Sequence, residues 1–186
     1  MTRNNNGRLR EFLFAGLAIT LLLMVACRET VRPVESTSHI RLADEKLIDY
    51  NRSVVKIEDQ EIDDFLRRYG WNVKETSTGL RYFIYRKGTG RKSSSGMLVR
   101  FRYTVKLLNG TIAYSSDFLG PKSLILGHGG VETGLEEGML LLREGDRAKF
   151  IIPSYLAFGL LGDQDKIPPG ATLVYDIEIL EFKTNK

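Results

Sequence analysis

Residues 131–182 impose the tightest constraint on how this chain folds. Val131, Leu135, Met139 and Leu142 recur at helical spacing and put an apolar stripe on one face. Gly145 follows, where a helix often closes on a left-handed glycine. Gly134 and Gly138 lie inside the helix, where each costs about 1 kcal/mol relative to alanine; such a cost implies tight packing or the close approach of a strand or ligand. Glu144 and Asp146 flank the turn and are expected to be solvated. Ala148, Phe150 and Ile152 then alternate with Arg147, Lys149 and Ile151, as in a strand with one buried face. An aromatic-glycine corner follows at Ala157-Phe158-Gly159. Pro168-Pro169 lacks amide donors and forms a stiff loop wall. A last strand carries Leu173, Tyr175, Ile177 and Leu180 on one side and Thr172, Asp176 and Glu178 on the other. The pattern describes a scaffold around an apolar pocket.

The chain has 186 residues, enough for one domain with appendages. It opens with Arg3, Arg8 and Arg10, an apolar run from Phe12 to Ala26, and then Cys27, its only cysteine. This is the layout of a signal peptide over residues 1–26. Leu23-Met24-Val25-Ala26-Cys27 resembles a bacterial lipobox, which implies a lipid-bearing Cys27 and a protein held on the cell envelope, facing the periplasm, by its acyl chains. A plain signal peptide and an uncleaved anchor helix are the alternatives, although the run is short of the roughly 20 residues a span needs. Residues 27–39 read as lipidated cysteine and tether, rich in Pro, Ser and Thr. Residues 40–70 carry a helical arm, with Ile62, Phe65, Leu66 and Tyr69 on one face and Gly70 as its stop.

The net charge of +4 falls to +2 once the signal is removed, so the basic pI does not point to nucleic acid. Gly88-Thr89-Gly90-Arg91-Lys92-Ser93 fails the phosphate-loop spacing, and Gly127-His128-Gly129-Gly130 fails the dinucleotide spacing. With His39 and His128 as the only histidines, neither a histidine metal site nor a Ser-His-Asp triad is expected, and no cofactor is implied. Paired acids such as Glu136-Glu137 and Asp63-Asp64 are expected on solvated helix faces.

Several ordered motifs resemble the FKBP-type peptidyl-prolyl cis-trans isomerases. They are Gly134-Leu135-Glu136-Glu137-Gly138, Gly145-Asp146-Arg147-Ala148-Lys149, Ala157-Phe158-Gly159, and the run from Ile167 through Pro168-Pro169 to Leu180. Upstream, Val99 to Thr104 is similar to that family's strand with its pocket tyrosine, Asn109-Gly110 to its hairpin turn, and Ser115-Ser116 to its serine pair. Leu126-Gly127 is similar to the Leu-Gly before its helix. The entry strand, Thr78 to Tyr85, resembles that of bacterial members with an N-terminal helical arm. The resemblance covers residues 78–183 and implies an α+β fold, an antiparallel sheet wrapped around a short helix.

It also implies a pocket lined by Tyr103, Tyr114, Val131, Glu132, Leu135, Phe158, Ile167 and Tyr175, with Ala113 on the hairpin side. In the family the residue at the position of Glu132 offers its backbone N–H to the substrate, which would make its side chain matter less. The chain departs from the family pattern. Ala113-Tyr114 replaces a phenylalanine-aspartate pair, Leu135 a tryptophan, Phe158 a tyrosine, and Lys122 an aromatic residue after Pro121. Tyr114 and Phe118 are the candidates to refill the missing wall. The segment from Tyr114 to Pro121 is also similar to one in FKBP-like lipoproteins of gliding bacteria. Two functions follow: an envelope-anchored isomerase acting on X-Pro segments of exported proteins, or a non-catalytic binding module for clients or an envelope or motility complex.

Overall fold

The computed structural model describes residues 36–184, with side chains from Asp44 onward. The expected signal peptide, Cys27 and most of the tether lie outside the described residues. The chain divides into two compact units, Met1–Ile48 and Asp49–Lys186. In the first, residues 36–48 are helical. Among the described residues no helix is long and apolar enough to cross a membrane.

Helix α1 (Ser36–Tyr69) begins inside the segment expected to be tether. After it come β1 (Lys74–Glu75), β2 (Arg81–Arg86), β3 (Met97–Leu107), β4 (Ile112–Ser115), the one-turn helix α2 (Ser116–Leu119), β5 (Lys122–Ile125), α3 (Thr133–Met139), β6 (Arg147–Ile152) and β7 (Leu173–Thr184). All pairings are antiparallel, in the order β1-β2-β6-β7-β3-β4. Strand β5 pairs with β3 through Leu98–Phe101, while β4 pairs with it through Thr104–Lys106, so one edge of β3 is served by two short strands with α2 between them. The Ser115 side chain caps α2 by accepting from the Asp117 amide, and Ser116 Oγ accepts from the Tyr103 amide at 3.1 Å. The serine pair thus converts a strand edge into a corner.

Alternation along β6 sends Ala148, Phe150 and Ile152 into the main core, with Phe101, Leu135, Met139, Tyr175 and Ile177. Ile151, expected on the polar side, is fully buried on the opposite face with Val174, where Ile62 and Phe65 of α1 cover it. Each large apolar side chain so covered contributes about 1.5–3 kcal/mol. The sheet therefore has α3 on one face and the end of α1 on the other. The periodic face of α1 behaves as expected at Ile62 and Phe65; Tyr69 stays half exposed.

Three expectations need correction. Helix α3 ends at Met139, capped by Leu140, well before Gly145, which instead forms a positive-φ turn. Asp146 is buried, not solvated: Oδ1 accepts from the Gly88 amide at 2.6 Å and Oδ2 from the Arg143 amide at 2.7 Å. The last strand keeps its alternation through Ile179, so Ile179 and not Leu180 is the next inward residue. A register shift between β3 and β7, opposite Arg100 and Phe101, then makes Leu180 the extra, partly exposed residue and turns Phe182 into the core.

The two glycines of α3 are explained by packing. A Cβ on Gly138 would lie 2.5 Å from the Phe150 ring, and one on Gly134 would lie 2.5 Å from the Ile152 side chain. The helix is pressed against side chains of β6, and glycine is what permits the approach.

Candidate active site

The expected site residues come from α3, β3, β4, β7 and the loop from Ser154 to Ala171. Tyr103 comes from β3 and Tyr114 from the end of β4. Val131 and Glu132 precede α3, and Leu135 lies on its first turn. Phe158 and Ile167 come from the long loop, and Tyr175 from β7. Leu135, Ile167 and Tyr175 are buried members of the main core, and Ala113 is buried beside them; Tyr103, Tyr114, Val131 and Phe158 are half-buried and pack against that core. The structure thus brings together the apolar residues expected from sequence.

Glu132 joins them through its side chain as well, the part of the residue that the resemblance implies matters less. It stands at the N-cap of α3 but makes no side-chain capping bond. Instead Tyr175 Oη donates to Glu132 Oε1 at 2.5 Å. Burial, and then the charge of Glu132, push the Tyr175 hydroxyl well above its usual pKa. The same two causes raise Tyr103. A carboxylate and two phenols therefore lie close together beside the apolar cluster. Among the described residues nothing accepts the Glu132 amide proton.

Of the two candidates for the missing wall, Tyr114 packs half-buried against the core that holds Ala113, whereas Phe118 is 87 % exposed. Tyr114 Oη donates to Asp163 Oδ2 at 2.5 Å and to Asp165 Oδ2 at 3.2 Å, and Lys166 Nζ sits 5.1 Å from its ring centroid. These contacts tie the hairpin to the Pro-Pro loop. Burial favours the neutral form of Asp163, but the Tyr114 hydroxyl and the amides of Ile167 and Asp165 outweigh it and lower its pKa. Hydrogen bonds to the two aspartates, more than burial, raise that of Tyr114.

Acids on helices are also used. Glu136 Oε1 accepts from the Gly127 amide at 2.6 Å and from Gly129 at 3.4 Å, which fixes the glycine loop leading to Val131. Glu137 accepts from Thr78 Oγ1 at 2.7 Å. Both were expected to be solvated.

One supporting residue escaped the sequence reading. Glu58 of α1 is buried and takes three hydrogen bonds, from the Ser154 amide, the Ser154 hydroxyl and the Thr172 hydroxyl. Ser154 and Thr172 bracket the loop that carries Phe158 and Ile167. Beside it, buried Arg81 faces Asp59, Asp63 and Glu75 at 3.3–3.8 Å. No local pattern marks Glu58, because its partners are 96 and 114 residues away.

Among the described residues no cluster of His, Cys, Asp and Glu could hold a metal ion. What remains is an apolar cluster beside an amide, that of Glu132, with no acceptor among the described residues, on an antiparallel sheet packed against a short helix. Residues 89–180 match the family described as FKBP-type peptidyl-prolyl cis-trans isomerase. Through this domain the chain belongs to the FKBP-type isomerase family.

A probable FKBP-type peptidyl-prolyl cis-trans isomerase FkpA of Neisseria meningitidis serogroup B is 34 % identical over 140 residues, covering 74 % of this chain and 51 % of the relative. The crystal structure of a peptidyl-prolyl cis-trans isomerase from Pseudomonas syringae pv. tomato aligns with a TM-score of 0.61 at 27 % identity, over 71 % of this chain and 95 % of that one. FkpA from Escherichia coli, at 23 % identity and a TM-score of 0.62 over 99 % of both chains, supports the fold alone. The chain spans about half the length of the first curated relatives it matches.

Proposed function

We propose that this protein accelerates cis-trans isomerisation of X-Pro peptide bonds, acting on exported proteins from a lipid anchor at Cys27. The observation that carries the isomerase reading is the convergence of the expected residues on one apolar cluster. Leu135, Ile167 and Tyr175 are buried in it, Tyr103, Val131 and Phe158 pack half-buried against it, and the Glu132 amide has no acceptor among the described residues.

The chemistry needs no more than this. An X-Pro amide is held planar by conjugation, with a barrier of roughly 18–20 kcal/mol. Trans is favoured by only about 0.5–1 kcal/mol, so the obstacle is kinetic. As the bond twists, conjugation and the carbonyl's charge separation both fall. An apolar, dehydrated recess favours that less polar twisted form over the planar one. A hydrogen bond from the Glu132 amide to the neighbouring carbonyl orients the peptide without restoring conjugation. The rate gain is differential binding of the transition state by shape and dielectric. No bond to carbon is made or broken, and no cofactor takes part.

The test is a cis-trans exchange assay on an X-Pro peptide with the full-length protein. Acceleration proportional to enzyme concentration is expected; none at high enzyme concentration removes the proposal. The anchor is tested separately, by acyl labelling that disappears in Cys27→Ser.

A second reading, a binding module that holds client chains without turnover, is favoured by one observation: the pocket departs from a purely apolar one at Glu132, Tyr175 and Tyr114. It predicts client binding or aggregation suppression that survives substitution of Phe158 or Tyr175. Loss of binding in those variants counts against it.

A further inference from the structure

An apolar site for a proline ring has no use for a carboxylate, yet Glu132 brings one beside Tyr175 and Tyr103. The group is half-buried, and Tyr175 Oη is its hydrogen-bond donor. Among the described residues it has no ion-pair partner. A partly dehydrated carboxylate with a single protein donor keeps unused acceptor capacity and an uncompensated charge. The same residue offers its free backbone amide to the substrate, so a peptide seated on that amide has its neighbouring side chains within one side chain's reach of the carboxylate. The nearby charges on the loop are mixed: Asp163 and Asp165 are engaged by Tyr114, and Lys166 lies over the Tyr114 ring.

We propose that the Glu132 carboxylate is a specificity-determining group, selecting proline segments in which a lysine or arginine flanks the proline and disfavouring those with an acidic neighbour. This rests on the isomerase reading above. The Tyr175 hydroxyl is its positioning partner: it holds one oxygen of the carboxylate and leaves the other for the substrate's cation. The interaction is between partly solvated charges, so its scale is modest and sensitive to salt.

The experiment uses the full-length protein and two series of proline peptides, with Lys, Leu or Glu immediately before or immediately after the proline. In one series or the other, kcat/KM for the Lys peptide is expected to exceed that for the Leu peptide by about three- to fivefold, with the Glu peptide below both. The Lys-to-Glu ratio is expected to shrink with added salt and to approach one in Glu132→Gln. Equal rates for Lys and Glu peptides in the unaltered protein overturn the proposal, as does a ratio unchanged in Glu132→Gln. If that variant does not fold, the salt dependence in the unaltered protein decides: a ratio insensitive to salt overturns it. If no peptide is accelerated, the isomerase reading fails. Calorimetric titration of the same peptides then judges the charge preference alone, and equal affinities for Lys and Glu peptides overturn it.

Discussion

The carboxylate of Glu58 lies 2.6 Å from the amide nitrogen of Ser154, joining the arm helix to the loop that shapes the pocket. Both residues are buried, and the same carboxylate also receives the Ser154 and Thr172 hydroxyls. Glu58→Ala strands three donors away from water. The expected loss is about 2–4 kcal/mol of stability, read as a lower urea midpoint at unchanged slope. Glu58→Gln keeps the shape but turns an NH2 group toward donors, and is expected to lose about half as much.

The Phe150 ring sets the limit on the pocket helix. Gly138→Ala gains about 1 kcal/mol of helix propensity but drives a methyl group into that ring. The clash is expected to win, with a net loss of about 1–3 kcal/mol in chemical denaturation. A stabilised Gly138→Ala protein would mean that α3 stands further from β6.

Adding a hydroxyl at Phe158 is expected to raise isomerase activity. Its ring is half-buried against the apolar cluster, and a phenol there would meet a substrate carbonyl. One additional neutral hydrogen bond corresponds to about a two- to tenfold gain in kcat/KM for Phe158→Tyr. An unchanged rate would place the substrate backbone away from this corner.

Acid is expected to weaken the fold through Asp163 and Glu178. Burial opposes their charge, but the Tyr114 hydroxyl with nearby amides, and Arg147 with Arg86, hold both below the usual carboxylate range. With native values below unfolded ones, the unfolded state binds more protons. Stability is then complete above the unfolded value of about 4 and is lost as pH falls through the native values. Urea midpoints between about pH 5 and about pH 3 should fall, and Tyr114→Phe should flatten the slope by removing the bond to Asp163.

The alkaline limit has the opposite sign. Burial, and then the bond to Asp176, push Tyr85 up to about 12. Its contribution is present below the unfolded value of about 10 and disappears as pH rises through the native one. Tyrosinate absorbance is expected to show a group of late-titrating phenols, Tyr85 with Tyr103, Tyr114, Tyr155 and Tyr175, and one fewer of them in Tyr85→Phe.

The apolar half of this molecule was legible in the sequence. Strand and helix periods marked Phe150, Leu135 and Tyr175 as inward-facing, and spacing between motifs carried the pocket. The polar half was not. Asp146 and Glu136 sit in acidic surroundings that look like solvated turns and faces, yet each closes a backbone loop. Glu132 and Tyr175 belong to different motifs, and nothing local says that one reaches the other. Leu180 is out of phase with Leu173, Tyr175 and Ile177; Ile179 keeps that phase, and the register shift beside Phe101 makes Leu180 the extra residue. Hydrogen bonds between segments far apart in sequence leave no periodic trace; burial does.

Trp71 is the chain's only tryptophan. Its ring lies 5.3 Å from those of Phe65 and Phe83, with Lys149 Nζ 5.3 Å from its own centroid. It therefore stands at the seam between the arm helix and the back of the sheet, on the side away from Tyr175 and Leu135. Nature has placed the molecule's one bright fluorophore where it watches the arm rather than the pocket. Intrinsic emission will follow undocking of α1, while a peptide bound at the candidate site leaves it nearly silent. An optical screen for ligands on this protein therefore needs a label near Val131, and an unlabelled one will report the arm instead.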